Sequence, residues 1–424
     1  MDCEKLNQNI TKLKSLQSDI ISQLDYAKTE GLGKIQLNES IKESSELTDR
    51  ILESYLDDFY EHNKDLLGIN LGTRIEGFED SDGYSAKIIY SITELQDGSI
   101  MIGGEDGALY HATRDKNGNI NLGTMIEGFE NFYGYPAKIS SITELQDGSI
   151  MIGGYGGALY HATIDKNGNI NLGTMIEGFK KSNGYPADTY SITELQDGSI
   201  MIGGEDGALY HATRDKNGNI NLGTMIEGFK KSNGYPAYIY SITELQDGSI
   251  MIGGGSGTLY HAARDKNGNI NLGTKIDGYP AYIFSIAELQ DGSIMIGGDG
   301  GALYHATRDK NGNINLGTMI EGCPAYISSI TELQDGSIMI GGSGGALYHA
   351  TIDKNGNINL GTRIDGFEDS DGDPAYIFSI TKLQDGGIMI GGSGGALYRA
   401  IIPQRSLDHL KQNLDKVIQP QNAE

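Results

Sequence analysis

Seven copies of one string, Ser-Ile-x-x-Leu-Gln-Asp-Gly-x-Ile-Met-Ile-Gly-Gly, begin at Ser91, Ser141, Ser191, Ser241, Ser285, Ser329 and Ser379, at intervals of 50, 50, 50, 44, 44 and 50 residues. A period of that size means that one supersecondary unit is repeated, and that each unit buries its apolar faces on its neighbours rather than within itself. Turn signals divide a copy into four short runs, Ser91 to Leu95, Ser99 to Gly103, Ala108 to Thr113 and Ile120 to Gly128. Between the runs lie Gln-Asp-Gly, a Gly-rich tip and Lys-Asn-Gly-Asn, where Gly and Asn supply the positive φ values that tight hairpins need. Four antiparallel strands per unit follow.

A lone four-stranded sheet cannot cover Ile100, Ile102, Leu109 and Tyr110 on both faces, whereas sheets packed radially can. The fold expected is therefore mainly β: a seven-bladed β-propeller with four-stranded blades. The two ends supply its closure. The run Ile69 to Gly77 matches a fourth strand but precedes the first copy, and the last copy stops after its third strand at Ile402 and Pro403. The amino-terminal strand is expected to complete the last blade.

This closure resembles that of WD-repeat propellers. The resemblance is architectural, because the chain has no Trp and so lacks the Trp-Asp dipeptide. The pattern Asp-Gly-x-Ile-Met-Ile-Gly-Gly-x-x-Gly-x-Leu-Tyr is similar to the repeats of two-component-regulator-type sensor propellers, with Met101 and Ile102 standing where those have aromatic-aliphatic pairs. It implies a fold and no ligand. The Gly-Gln-Leu-Gly motif of propellers of the chromosome-condensation-regulator type is missing.

Domain organisation follows from a change in composition. Residues 1–66 are Gly-poor, and Leu6, Ile10, Leu13, Ile20 and Leu24 keep helical three-four spacing. After Glu30 to Gly33, Ser40 with Glu43 forms a capping box ahead of the stripe Leu47, Ile51, Tyr55, Phe59 and Leu66. A third amphipathic stretch, Ser406 to Gln419, carries Leu407, Leu410, Leu414 and Val417. The division expected is a helical hairpin over 1–66, the propeller over 67–403, and a helix in 404–424 packing on the first two. That appendage offers a route to self-association.

Charge narrows the partners. The 57 acidic against 32 basic residues give a net charge of −25, which opposes binding to nucleic acid or to an anionic membrane. No stretch approaches the roughly 20 apolar residues of a membrane span. With Cys3 and Cys323 alone there is no disulfide framework, and the start has neither a basic nor an apolar leader region. A cytoplasmic location is expected, or delivery of a bacterial effector into a host cytosol without a cleavable signal peptide. The Asn, Lys and Ile content suits an AT-rich bacterial genome.

The copies differ in an informative way. Turns at one end of the blades hardly vary: Gln-Asp-Gly occurs seven times and Asp-Lys-Asn-Gly-Asn six times. At the other end, here the top, the segments read FEDSDG at Phe78 and Phe367, FENFYG at Phe129 and FKKSNG at Phe179 and Phe229; the shorter copies lack this segment. Lys180, Lys181, Lys230 and Lys231 thus alternate with acidic loops. Leading into the innermost strands, one position reads Tyr90, Ser140, Tyr190, Tyr240, Phe284, Ser328 and Phe378, and two residues earlier stand Tyr238, Tyr282, Tyr326 and Tyr376. These aromatics are expected to ring the top mouth of the channel. Aromatics and mixed charge at a concave centre suit a protein or peptide partner.

Other motifs invite chemistry and fail on spacing. His111, His161, His211, His261, His305 and His349, with Arg399 in the seventh place, lie a blade apart, too far for the ~2 Å bonds of a shared metal. A repeated structural hydrogen bond is expected of them. Glu94, Glu144, Glu194, Glu244, Glu288 and Glu332, with Lys382 seventh, form an acidic ring if they face the channel and must find donors if they face between blades. Asp115 to Asn119 has its Gly fourth rather than sixth and no Glu at the twelfth place, so it reads as a hairpin turn rather than a calcium loop; the loops after Asp80 and Asp369 are weak calcium candidates. No central Arg, Tyr and Glu set of the sialidase kind is present, and Cys323 has no singular His beside it. The reading is a non-catalytic interaction scaffold without metal or cofactor. The alternatives are a glycan-binding lectin using equivalent pockets, motivated by the near-identical copies and 24 Tyr, and an enzyme, a lyase or hydrolase, at the channel mouth.

Overall fold

The structure, a computed structural model, describes residue 69 and residues 71–80, 88–116, 118–353 and 356–401. The helices expected in 1–66 and 404–424 lie outside the described residues. Residues Leu71–Ile401 make one compact unit. In its first blade β1 (Ile89–Glu94), β2 (Ile100–Gly104), β3 (Leu109–Arg114) and β4 (Ile120–Asn121) pair antiparallel in that order. The pattern repeats from Ile139–Glu144, Thr189–Glu194, Ile239–Glu244, Ile283–Glu288, Ile327–Glu332 and Ile377–Lys382 as innermost strands, giving seven sheets.

Alternation buries both faces of every blade. Ile100 and Ile102 point back to the seventh blade, where they meet Leu383, Met389 and Leu397, while Met101 points forward to Ile139, Ile150 and Ile152 of the second. All of these are buried, and full burial of one such side chain stabilises by roughly 1.5–3 kcal/mol. The paired glycines ending each second strand are required by close approach. A Cβ on Gly103 would strike Ile139 and Ile142 of the next blade, and one on Gly104 would strike the Phe78 ring.

Closure occurs as the repeat predicts. The seventh sheet has three strands of its own, and Arg74 bridges Tyr398 while the Ile75 N–H donates to the Leu397 carbonyl at 2.8 Å. In the first blade Met125 bridges Tyr110 and the Ile126 N–H donates to the Leu109 carbonyl in the same way. The amino-terminal segment therefore stands as the missing outer strand.

The outer strand itself departs from expectation. Instead of one run from Ile120 to Gly128, the first blade pairs only Ile120 and Asn121 with β3 and regains contact at Met125. Gly123, at φ 41°, lies against the His111 carbonyl where a Cβ would collide, so the chain bulges there. The fourth blade is the exception, with a continuous strand from Ile270 to Lys275.

An exposed inner edge is the weak point of any propeller, because unpaired backbone groups there invite other strands. Side chains of the preceding blade cover it. The Ile142 N–H donates to Ser91 Oγ at 3.1 Å, and Thr93 Oγ1 donates to the Ile142 carbonyl at 2.7 Å. The Ser bond recurs at all seven junctions, the last being Ile92 N–H to Ser379. The Thr bond recurs at six, Ala287 having no hydroxyl to give.

Candidate functional site at the channel mouth

Each innermost strand carries a register shift near its top end, as between Ile89 and Ser91 or between Ile283 and Ser285. The extra residues are Tyr90, Ser140, Tyr190, Tyr240, Phe284, Ser328 and Phe378. A bulge residue leaves the ladder and its side chain is re-aimed. These seven are the positions read from sequence as leading into the mouth, and the rings of the five aromatic ones touch across blade boundaries.

One arc runs from Tyr155 to Tyr190 at 5.7 Å, to Tyr240 at 5.1 Å, to Phe284 at 5.2 Å and to Tyr326 at 5.7 Å. Tyr238 and Tyr282 flank it: Tyr238 lies 6.1 Å from Tyr190, and Tyr282 stacks on Phe284 with planes 13° apart. A second arc joins Tyr376, Phe378 and Tyr90 at 6.5 and 5.1 Å. The arcs are separated where the bulge residue is Ser140 or Ser328, whose hydroxyls bond the next blade's Thr189 and Ile377 carbonyls. Tyr282, Tyr326 and Tyr376 are 37, 45 and 49 % exposed, and Tyr90, Tyr190, Tyr238, Tyr240, Phe284 and Phe378 are half-buried. Burial raises the phenol pKa values of Tyr90, Tyr190 and Tyr240, which therefore stay neutral.

Sequence reasoning missed Lys138. Its ammonium lies 3.5 Å from the Tyr90 ring centroid and 4.2 Å from that of Tyr155, and it donates to Tyr155 Oη at 3.0 Å. Burial lowers its pKa to about 8, with Glu105 and Asp188 opposing the shift. Tyr90 Oη donates to Glu105 at 3.2 Å, Tyr190 Oη donates to Asp188 at 3.4 Å, and Asp188 accepts the Gly156 N–H at 2.7 Å. The signal was present in the column two residues before the bulge, which reads Ile88, Lys138, Asp188, Tyr238, Tyr282, Tyr326 and Tyr376. Only its tyrosines were singled out.

The four lysines named from the loops stand in different settings. Lys181 pairs with Glu205 at 2.7 Å, the Lys231 ammonium lies 5.8 Å from the Tyr238 ring, and Lys180 and Lys230 are exposed on the outer loops. Tyr135, Tyr185 and Tyr235, exposed at equivalent places in three successive loops, were also overlooked.

At the bottom, the hydrogen bond expected of the repeated His is made in some blades, while His211 and His305 leave Nε2 without a hydrogen-bond partner among the described residues. His111, His161 and His261 contact the Ser99, Ser149 and Ser249 hydroxyls at 2.8, 2.8 and 2.9 Å, and Ser99 donates to Asp97 at 2.6 Å. The seventh blade has Gly387 for the Ser and Arg399 for the His, and Arg399 reaches Asp385 directly at 2.6 Å. The glutamates accept from the turn of the preceding blade: the Gln96 N–H donates to Glu144 and the Gln146 N–H to Glu194, at 2.7 and 2.6 Å. Arg214 ties Glu194, at 2.6 Å, to Asp147 of the blade before. These carboxylates thus find their donors between blades. Asp115 takes the Asn119 N–H at 2.9 Å as a hairpin turn would. Among the described residues no group of three or more His, Cys, Asp or Glu is placed to hold a metal, and no helix is long and apolar enough to cross a membrane.

Cys323 occupies a packing position. Where other top loops bury an aromatic against the third strand, as Phe229 on Tyr260 at 5.3 Å or Tyr279 on Tyr304 at 5.1 Å, the junction of blades five and six has this thiol. Burial pushes its pKa up to about 11, so it stays protonated at neutral pH.

No family model matches the sequence, and no curated protein matches it. Solved structures are similar in fold. The WD40 propeller domain of Doa1 superposes with a TM-score of 0.54 at 14 % identity, over 80 % of this chain and 98 % of that one. The extracellular domain of a putative hybrid two-component system from B. thetaiotaomicron gives 0.56 at 14 %, over 79 % and 43 %. A putative 6-phosphogluconolactonase from Bacteroides uniformis gives 0.52 at 14 %, over 63 % and 82 %. At such identities the likeness is one of architecture. The chain is a seven-bladed β-propeller of WD-repeat-like build, and both resemblances read from its repeat are borne out at that level.

Proposed function

We propose that this protein is a non-catalytic interaction scaffold that binds a protein or peptide at the top mouth of its propeller. The observation that carries the reading is the contrast between the two ends of the channel. Bottom carboxylates are engaged with donors of the neighbouring blade, as Glu144 and Glu194 are, whereas the top bulges present Tyr240, Phe284 and Phe378 beside the exposed Tyr282, Tyr326 and Tyr376. Exposed aromatics clustered at a concavity are the usual anchors of an interface. The WD40 propeller among the similar folds agrees with this use of the architecture.

A display selection of random peptides on the immobilised full chain tests it. Enriched peptides should bind wild type and lose at least about tenfold in affinity for a variant with Tyr238, Tyr282, Tyr326 and Tyr376 all changed to Ala. Equal binding to both, once both are shown to fold, would overturn the assignment to the mouth.

The second reading, a glycan-binding propeller, is favoured by Tyr135, Tyr185 and Tyr235, because equivalent exposed rings are what a lectin with several equal sites would need. Glycan binding at several equal sites, abolished by changing these three tyrosines and indifferent to the mouth, would select it.

A further inference from the structure

The mouth has two places where the aromatic series is interrupted by Ser, and they are related by the repeat. In the first, around Ser140, the neighbours are Tyr90 and Glu105 of the first blade and Asp188 and Tyr190 of the third. That place is filled from within. Lys138 puts its ammonium between the Tyr90 and Tyr155 rings, with two carboxylates acting on it. A cation over an aromatic face is held by the ring quadrupole, and more strongly where water is partly excluded.

In the second, around Ser328, there is no cation and one carboxylate instead of two, because Tyr376 stands for Asp188. Phe284 stands for Tyr90, Asp299 for Glu105, Tyr326 for Lys138 and Phe378 for Tyr190. Phe284 and Tyr326 stack at 5.7 Å on one side, and Tyr376 and Phe378 stack at 6.5 Å on the other. Among the described residues no ring contact spans the gap. Its rim is open where the first is closed, because Ser343 replaces Tyr155. Asp299 is pinned beside the gap: its backbone bridges Tyr326, and its N–H donates to the Tyr282 carbonyl at 3.0 Å.

We propose that the slot around Ser328 receives a lysine or arginine side chain of a peptide partner, held between the Tyr326 and Phe378 walls with Asp299 as counter-charge. The proposal rests on the scaffold reading and names its partner's anchor. A chain of net charge −25 draws basic segments toward it. The slot also prefers a cation to a plain apolar group: Asp299 Oδ1 accepts the Gly300 N–H at 2.6 Å, and a cation would add to that carboxylate a counter-charge that an apolar side chain cannot supply.

The test titrates the full chain with acetyl-Gly-Gly-Lys-Gly-Gly-amide, its arginine counterpart and its norleucine counterpart, following the ring resonances of Tyr326, Tyr376 and Phe378. The basic peptides should shift these resonances and bind at least about fivefold more tightly than the norleucine peptide, and Asp299→Asn should weaken them about three- to tenfold. Tyr326→Lys should abolish binding while the protein melts unchanged, because the new ammonium would occupy the slot as Lys138 occupies its own. Equal binding of the norleucine peptide, unmoved resonances, or undiminished binding by the folded Tyr326→Lys variant would each overturn the proposal. Display-selected peptides that need the mouth tyrosines but contain no basic residue would sink the slot and leave the scaffold reading standing.

Discussion

Two residues break the repeat in ways that only the packing around them makes plain. Lys138 is a cation enclosed by Tyr90 and Tyr155, and its amine should therefore acylate with a titration midpoint near pH 8. Trace labelling with acetic anhydride from pH 6 to 11, read by peptide mass, would check this; a midpoint near the ordinary ~10.4 would contradict the enclosure. Cys323 leaves a smaller side chain where the other top loops bury an aromatic ring. Cys323→Tyr should place a phenol as Tyr279 does, whose hydroxyl donates to the Ala302 carbonyl at 2.7 Å. The expected gain is about 1 kcal/mol in chemical unfolding. A loss would mean that the blade has closed over the vacancy. Both positions are visible as departures within an aligned column, but a column does not say what surrounds it: Lys138 stands there among tyrosines, and nothing in the sequence shows that Cys323 takes a place where other loops bury a ring.

Elements were legible where the period dictates them and illegible where geometry inserts a residue. Ile100, Met101 and Ile102 alternate as a strand must, so the second strand was found as drawn. The bulge at Tyr90 has no local sequence mark, since Ser-Ile continues the apolar alternation beyond it, and it is that bulge which turns an aromatic toward the mouth. The outer strand was overdrawn because the Gly123 bulge breaks it. The Ser and Thr belt could not be read in advance, because its acceptors belong to the next blade. It makes a prediction. Ala287→Thr should restore the missing bond to the Ile330 carbonyl and stabilise by about 0.5–1.5 kcal/mol, whereas Thr243→Ala should remove its bond to the Ile286 carbonyl and cost a similar amount. Equal and opposite shifts in the urea midpoint would support the belt; no shift in either would deny it.

At the scale of the whole molecule the ring is fastened by one short strand pairing, and everything else is repeated packing. Ile75→Pro removes the N–H that donates to Leu397, and should raise the rate of limited proteolysis near both ends of the propeller well before the global melt. The bottom face predicts a pH response. Burial lowers the pKa of His111, His161, His211, His261 and His305, so the unfolded chain takes up these protons more readily than the folded one. Stability is present above the unfolded value of about 6.5 and is lost as pH falls through it toward the lower folded values. The melting temperature should drop between pH 7.5 and 5.5, and less in a His305→Gln variant. Seven blades and their closure could be counted from the chain, because the repeat enforces them. The asymmetry of the mouth was half legible: Ser140 and Ser328 stand out in their column, but the splitting of the rings into two arcs depends on contacts between blades that the column does not show.

The most direct test of the central claim is hydrogen exchange on the full chain with and without a display-selected peptide bound. The account predicts slowed exchange at Tyr238 to Tyr240, Tyr282 to Phe284 and Tyr326 to Ser328, with the Gln-Asp-Gly turns unchanged. Protection confined to those turns, or to the outer loops carrying Tyr135, Tyr185 and Tyr235, would contradict it.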